Sequence, residues 1–246
     1  MSSQQTPWQD AYLEKYYPQT SWRRDGTRDF FKILEKYCKG QILEVGAGPT
    51  NTTSEYLATL GELHGIDVDD EVLQNAALKT ASLITGSFPF SNQTFDSCVS
   101  NYVCEHLEDP RQHLEEVWRV LKPGGTYVVR TPNRLHYIAI VSSLTPHSFH
   151  VRTANKLRGI DGHDPYPTRY RFNSKRRIRR LAQETGFEVE YFRLLEKEPS
   201  YGMSSRALFL LFTAYERVVN LTEALSMFRS SIFVVLRKSP THGRAS

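Results

Sequence analysis

Residues 41–50, reading Gln-Ile-Leu-Glu-Val-Gly-Ala-Gly-Pro-Thr, constrain this chain more than any other stretch. Ile42, Leu43 and Val45 form a short apolar run, the composition of a strand buried on both faces of a parallel sheet. The run breaks at Gly46 and Gly48, and a helix-like segment over 52–60 follows at once. Glycine lets a backbone approach a ligand closely, and a helix start offers free N–H groups and the positive end of its dipole. Strand, glycine turn and helix together describe a nucleotide-binding architecture. The plainer alternative is an ordinary strand-to-helix turn.

The dinucleotide fingerprint G-x-G-x-x-G requires a third glycine at 51, where this chain has Asn51. Glu44 stands two residues before the first glycine. A carboxylate there is poorly placed for a pyrophosphate and well placed for the ammonium of an amino-acid-like ligand.

At 246 residues the chain accommodates one α/β domain with an insertion, or two small domains. A net charge of +4 is too mild to imply nucleic acid by itself. Cys38, Cys98 and Cys104 have neither C-x-x-C pairing nor metal-ligand spacing, which fits reduced thiols and a cytoplasmic location. The polar, aromatic N-terminus has no apolar core of a signal peptide, and no apolar run reaches the roughly 18 residues that span a bilayer.

Hydrophobic periodicity predicts alternating elements. A helix over 27–38 carries Phe30, Phe31, Leu34 and Tyr37 on one face. A second strand ends at Asp67, about twenty residues past the glycines, where an acidic side chain reaches ribose hydroxyls. A helix over 70–79 is expected to bury Val72, Leu73, Ala76 and Ala77. Short strands follow at 82–84 and 95–100, then a helix over 111–121, a turn at 122–125 and a fifth strand over 126–130. This alternation predicts a doubly wound parallel sheet with its ligand at the carboxyl ends of the strands.

Five motifs then fall in order: Glu44-Val45-Gly46-Ala47-Gly48; Gly65-Ile66-Asp67; Phe88-Pro89-Phe90 before Phe95-Asp96; Glu105-His106-Leu107; and residues 119–125, Arg-Val-Leu-Lys-Pro-Gly-Gly. Together they resemble the class I S-adenosylmethionine-dependent methyltransferases, in the group related to the ubiquinone and menaquinone methyltransferases. The resemblance covers residues 30–135 and is loose beyond them. It implies a Rossmann-like, doubly wound seven-stranded sheet, mostly parallel with an antiparallel last strand, and S-adenosylmethionine as cofactor. It further implies that Glu44, Gly46, Ala47 and Gly48 line the methionine end of the cofactor, that Asp67 holds the ribose and that Val68 lies against the adenine. Ser87 and Phe88 would complete the adenine side, although many relatives carry an acid where this chain has Ser87. Asn101 and Tyr102 would border the methyl-transfer site.

The C-terminal half carries helical insertions and is where the substrate is expected. Four of the eight histidines, His136, His147, His150 and His163, lie in 136–172. His136, Tyr137, His150 and His163 are candidate catalytic groups, against the plainer reading of loop hydrogen bonds. The pair His147-x-x-His150 is a weak metal signature, and no metal is expected. Arg134, Arg169, Tyr170 and Arg171 are candidate substrate contacts, against a solvated face. A basic helix over 174–184 reads as solvated, with nucleic acid or an anionic membrane as the alternative. Strands are expected at 187–195 and 231–237, around an apolar helical insert over 205–227 that serves as core, homodimer face or pocket wall.

The expected organisation is an N-terminal lid helix (1–26), a cofactor core (27–135), a substrate insertion (136–172), the rest of the core with its helical insert (173–238) and a disordered tail (239–246). The expected activity is methyl transfer to an O or N atom of a small molecule: a natural product, a sugar derivative or a quinone-like ring. The alternatives are an RNA methyltransferase and a non-catalytic cofactor-binding regulator.

Overall fold

A computed structural model describes residues 7–144, 166–199 and 202–239. Seven strands form one sheet: β1 (Gly40–Val45), β2 (Gly61–Asp67), β3 (Thr80–Leu83), β4 (Phe95–Asn101), β5 (Leu121–Pro132), β6 (Phe187–Leu195) and β7 (Ser231–Lys238), in the order β3-β2-β1-β4-β5-β7-β6. The pairs β1–β2, β1–β4, β2–β3 and β4–β5 are parallel, and the last strands are antiparallel. Ile42, Leu43, Val99, Val128 and Val235 are fully buried, as a sheet covered on both faces requires. Strand order reverses at β1, whose neighbours are β2 and β4. A crevice opens beyond the carboxyl ends of such strands, and this is where open α/β sheets take their ligands.

The helices are α1 (Pro7–Tyr16), α2 (Gly26–Tyr37), α3 (Thr52–Ala58), α4 (Pro110–Val120), α5 (Tyr137–Leu144), α6 (Lys175–Thr185) and α7 (Arg206–Val219). Asn51, Asp109, Ser174 and Ser205 each cap a helix start by accepting backbone N–H groups. Gly186 ends α6 in the left-handed conformation.

Three expectations change. The helix over 70–79 is only a 3-10 turn, Asp70–Gln74, and Leu73 is exposed. Asn75 ends it, because its side-chain Oδ1 accepts the Ala77 N–H and its Nδ2 is committed to the glycine turn. On α2 the inward residues are Phe30, Ile33 and Leu34, while Phe31 stacks on Tyr56 of α3 with ring centroids 4.2 Å apart. Residues 122–125 lie within β5 as an irregularity: Phe95 pairs with Leu121 and Ser97 with Thr126, so the intervening residues bulge.

The chain divides into two compact units. One gathers residues from 29–131, 168–193 and 232 onward, and holds the sheet. The other gathers residues from 1–28, 132–167 and 194–231. In this second unit α1 packs Leu13, with Tyr17 just beyond the helix, onto Phe209 of α7, and Trp8, Tyr12 and Tyr16 surround them. Glu216, almost fully buried, accepts hydrogen bonds from Tyr17 Oη (3.2 Å), Arg23 Nε (3.0 Å), Arg217 Nη1 (2.7 Å) and Asn220 Nδ2 (2.6 Å). Tyr17 is thereby committed to its own unit, while Trp22 is exposed under Arg23. No described helix is long and apolar enough to cross a membrane.

Candidate functional site

The glycine turn follows β1 directly. Gly46 and Ala47 donate their N–H groups to Ile66 O of β2 (2.8 and 3.2 Å), which folds the chain back across the sheet edge. Gly46 has φ 76°, and a Cβ there would meet Val103 Cγ2 at 2.2 Å, so the position demands glycine on two counts. Gly48 has φ 52° and donates to Asp67 Oδ2 (2.9 Å). Asp67 Oδ1 accepts from the N–H groups of Val68 (2.7 Å) and Asp69 (3.1 Å). This one carboxylate therefore ties the β1 turn to the β2 turn, using three of its roughly four acceptor positions.

Glu44, the last residue but one of β1, is buried, and its Oε2 accepts Ser54 Oγ at 2.6 Å. Burial pushes its carboxyl up to about 7, the hydrogen bond from Ser54 opposes this, and the nearby Asp67 charge adds to it. The site therefore holds a carboxyl that gains from a cationic partner.

The supports of this turn are side chains with no glycine or acid signal: Asn51, which stands where the fingerprint has its third glycine, and Asn75. Asn51 Oδ1 caps α3 through the N–H groups of Thr53 and Ser54, while its Nδ2 donates to Ala47 O (2.8 Å) and Ser54 Oγ (3.0 Å). Asn75 Nδ2 reaches Gly48 O (3.1 Å) and the same Ser54 Oγ (3.0 Å). Asn51 thus replaces the third glycine of the dinucleotide fingerprint with a side chain that binds the turn from beneath.

Next along the edge, β4 ends at Asn101. Its Nδ2 donates to Thr53 Oγ1 (3.0 Å), and its Oδ1 is buried with no partner among the described residues. An orphaned buried acceptor is costly unless a ligand donates to it, and an ammonium or hydroxyl group is such a donor. Tyr102 follows in a left-handed conformation (φ 58°), exposed, with the Arg130 guanidinium 4.8 Å from its ring centre. Val68 is exposed beside Asp67, Ser87 is exposed, and Phe88 is buried against His113. All ten expected cofactor residues belong to the sheet-bearing unit, on strands β1, β2 and β4 or the segments that follow their ends and that of β3.

The expected substrate and catalytic residues are dispersed. Arg169 pairs with Glu108 (2.9 Å), Arg171 donates to Glu108 O (2.6 Å), and the N–H groups of Arg169 and Tyr170 bind Glu105 O. Arg134 is exposed just beyond β5. His136 belongs to the other unit, buried, with its Nε2 3.4 Å from Glu196 Oε2 and its ring against Tyr137 and Tyr215. Tyr137 stacks on Phe212, and burial, with the Glu196 charge adding to it, raises its hydroxyl above the usual value, so it stays protonated at neutral pH. His150 and His163 lie outside the described residues, as does the His147-x-x-His150 pair. Among the described residues no three His, Cys, Asp or Glu side chains gather as metal ligands.

The sequence model of the family described as "Methyltransferase domain" matches residues 43–129. That span of the chain is similar to a methyltransferase domain. The matched span runs from β1 into β5 and ends two residues short of the boundary of the sheet-bearing segment at Thr131. An uncharacterized methyltransferase of Schizosaccharomyces pombe is 32% identical over 136 residues, 47% of this chain and 47% of that protein. A Mycolicibacterium smegmatis protein, named as an S-adenosylmethionine-dependent methyltransferase, is 30% identical over 167 residues, 65% of this chain and 57% of its own length. The chain thus spans about half the length of the curated relatives it matches. Among solved structures, an S-adenosylmethionine-dependent methyltransferase from Methanosarcina mazei superposes with a TM-score of 0.55 at 16% identity, covering 84% of this chain and 97% of that one. At that identity the likeness speaks for the methyltransferase fold alone.

Proposed function

We propose that the protein transfers a methyl group from S-adenosylmethionine to an O or N atom of a small molecule. One observation carries the reading: the buried Glu44 carboxyl at the glycine turn, flanked by Asp67 and by the orphaned Asn101 Oδ1, is a donor-seeking cradle. It suits the ammonium and ribose hydroxyls of S-adenosylmethionine and repels a pyrophosphate. In this reading Glu44 and Asn101 hold the amino-acid end, Asp67 the ribose, and Val68, Ser87 and Phe88 the adenine. S-adenosylmethionine supplies a methyl group already activated on sulfonium. The chain's own task is then alignment of the acceptor, and effective molarity is worth about 7–11 kcal/mol of such a barrier. Tyr102 and Arg130 border the acceptor side, where a planar or anionic small molecule meets an aromatic face and a guanidinium group. Arg169 and Arg171, both held on Glu108, are the further acceptor contacts in this reading.

Ala207, Leu211, Ala214, Val218 and Leu221, all exposed, recur at steps of four and three residues. Over Ala207 to Val218, within α7, that spacing is the seam of a helix pair, and it supports a second copy of the chain as the partner of α7. Light scattering of the wild type and of Leu211→Glu tests it.

The function is tested by calorimetric titration with S-adenosylmethionine, S-adenosylhomocysteine and NAD, followed by an acceptor screen that reads transferred methyl. Binding of the first two and not the third supports the reading. Binding of NAD alone overturns it.

A further inference from the structure

The segment joining β3 to β4 has no helix or strand of its own between residues 85 and 92. It leaves the sheet beside the ribose end of the site: Leu83 pairs with Asp67, and Ile84 N–H donates to Asp67 O (2.8 Å). Its course is imposed from α4 by two side chains one turn apart. Glu116 Oε2 accepts Phe88 N–H (2.7 Å), and Arg119 Nη2 donates to Phe88 O (2.9 Å). Arg119 Nη1 donates to Phe90 O (2.7 Å) and Asn92 Oδ1 (3.0 Å). The two side chains are joined to each other by a fork, Nε to Oε1 at 2.9 Å and Nη2 to Oε2 at 2.8 Å. Both polar groups of Phe88's backbone are thus held by one ion pair, while its ring is buried against His113.

This is more fixation than a connecting segment needs, and it falls on the residues expected at the adenine. Ser87 offers no carboxylate to the amino group of the base. Recognition of the base therefore falls to the shape of the segment and to its main-chain groups, which discriminate only if they are held in place before the ligand arrives. The five N–H donors of the Arg119 guanidinium serve all five of these acceptors at once; an ammonium group, with three donors, cannot.

We propose that Glu116 and Arg119 are positioning residues which, by fixing the Phe88 peptide, set the selectivity of this site for an adenine base. The proposal rests on the cofactor reading above. S-adenosylhomocysteine and its inosine counterpart, S-inosylhomocysteine, differ only at the base and are the probes. The wild type prefers the adenine form. In Arg119→Lys, affinity for S-adenosylhomocysteine falls by about tenfold, the scale of one lost charge-assisted contact, while S-inosylhomocysteine changes much less, so the preference collapses. Ser87→Asp restores a carboxylate partner for the amino group and tightens S-adenosylhomocysteine binding in the wild type, but not in the Arg119→Lys background. A role in stability alone weakens both probes equally. Equal weakening, or an unchanged ratio, overturns the proposal and leaves the cofactor reading intact. Binding of neither probe by the wild type overturns both. Should Arg119→Lys not fold, Glu116→Gln, which keeps the guanidinium and frees Phe88 N–H, is expected to narrow the same ratio, and an unchanged ratio there counts against the proposal.

Discussion

Glu44→Gln separates the electrostatics of the glycine turn from its packing. Glutamine is close in shape to a protonated glutamate and still accepts the Ser54 hydroxyl, so the variant copies the low-pH protein. In the wild type the Glu44 carboxyl moves from 4.5 unfolded to about 7 folded. Between those values the folded chain holds a proton that the unfolded chain has lost. Stability from this group is fully present below pH 4.5 and is lost as pH rises through 7. A shift of about 2.5 units corresponds to about 3 kcal/mol, or about 6–12 °C in Tm for a chain of this size. His113 acts with the opposite sign: burial holds it down at about 4, so its contribution is present above pH 6.5 and is lost as pH falls towards 4. The wild-type curve alone therefore mixes two groups, and the difference between wild type and Glu44→Gln isolates one. Thermal unfolding of both, without ligand, from pH 4.5 to 8.5 is the assay. Near pH 4.5 the two proteins match, and by pH 8.5 the wild type has lost about 3 kcal/mol relative to the variant. With saturating S-adenosylhomocysteine the wild type recovers this loss, because an ammonium beside the carboxylate favours its charged form, and the variant does not. Parallel curves across the range would refute the assignment of Glu44 as the buried titrating group of the site.

Asp67→Asn keeps the side-chain shape but replaces one acceptor oxygen with a donor, facing Gly48 N–H or Val68 N–H. It is expected to abolish calorimetric binding of S-adenosylmethionine while leaving the far-ultraviolet circular dichroism unchanged. Asn51→Ala removes the α3 cap and the bond to Ala47 O, and costs about 1–2 kcal/mol in urea unfolding. Asn51→Gly, which restores the glycine fingerprint, is expected to lose affinity for S-adenosylmethionine without gaining NAD binding. Glu216→Gln leaves Arg23 and Arg217 without their buried counter-charge. Both arginines are partly exposed and retain water, so the expected loss is about 2–3 kcal/mol, below that of a fully buried pair. Limited proteolysis within the first 28 residues reports it.

The sheet and its glycine-turn edge were legible because their signals are local. Alternation of apolar runs with helical periods located every strand, and β6 matches its expected span of 187–195. The glycines, Glu44 and Asp67 announce themselves by chemistry and spacing. The supports do not. Asn51, Asn75, Glu116 and Arg119 are residue types that decorate any surface, and their role depends on partners 4 to 31 residues away. The 3-10 turn at Asp70–Gln74 was read as a longer helix because the helical spacing of Val72, Ala76 and Ala77 is real, while the side chain of Asn75 overrides it. His136 and Tyr137 were singled out by type. In the fold they meet Glu196, Phe212 and Tyr215, which are sixty to eighty residues further on and which no local pattern connects.

The second unit is threaded from three separated pieces of chain, and this fixes an order of assembly. Tyr17 meets Glu216 across 199 residues, and Gln9 meets Met203 across 194. At about 5–20 residues per second, a ribosome that has released α1 takes about 10–40 seconds to deliver α7. Throughout that interval Trp8, Tyr12, Leu13, Tyr16 and Tyr17 have no Phe209 to close over them. Strands β1 to β5 can pair with one another in the meantime, while the other edge of β5 waits for β7, which is made after α7. The newborn protein therefore carries both an uncovered aromatic helix and a half-finished sheet, and a chain broken off before residue 205 keeps that helix bare for good.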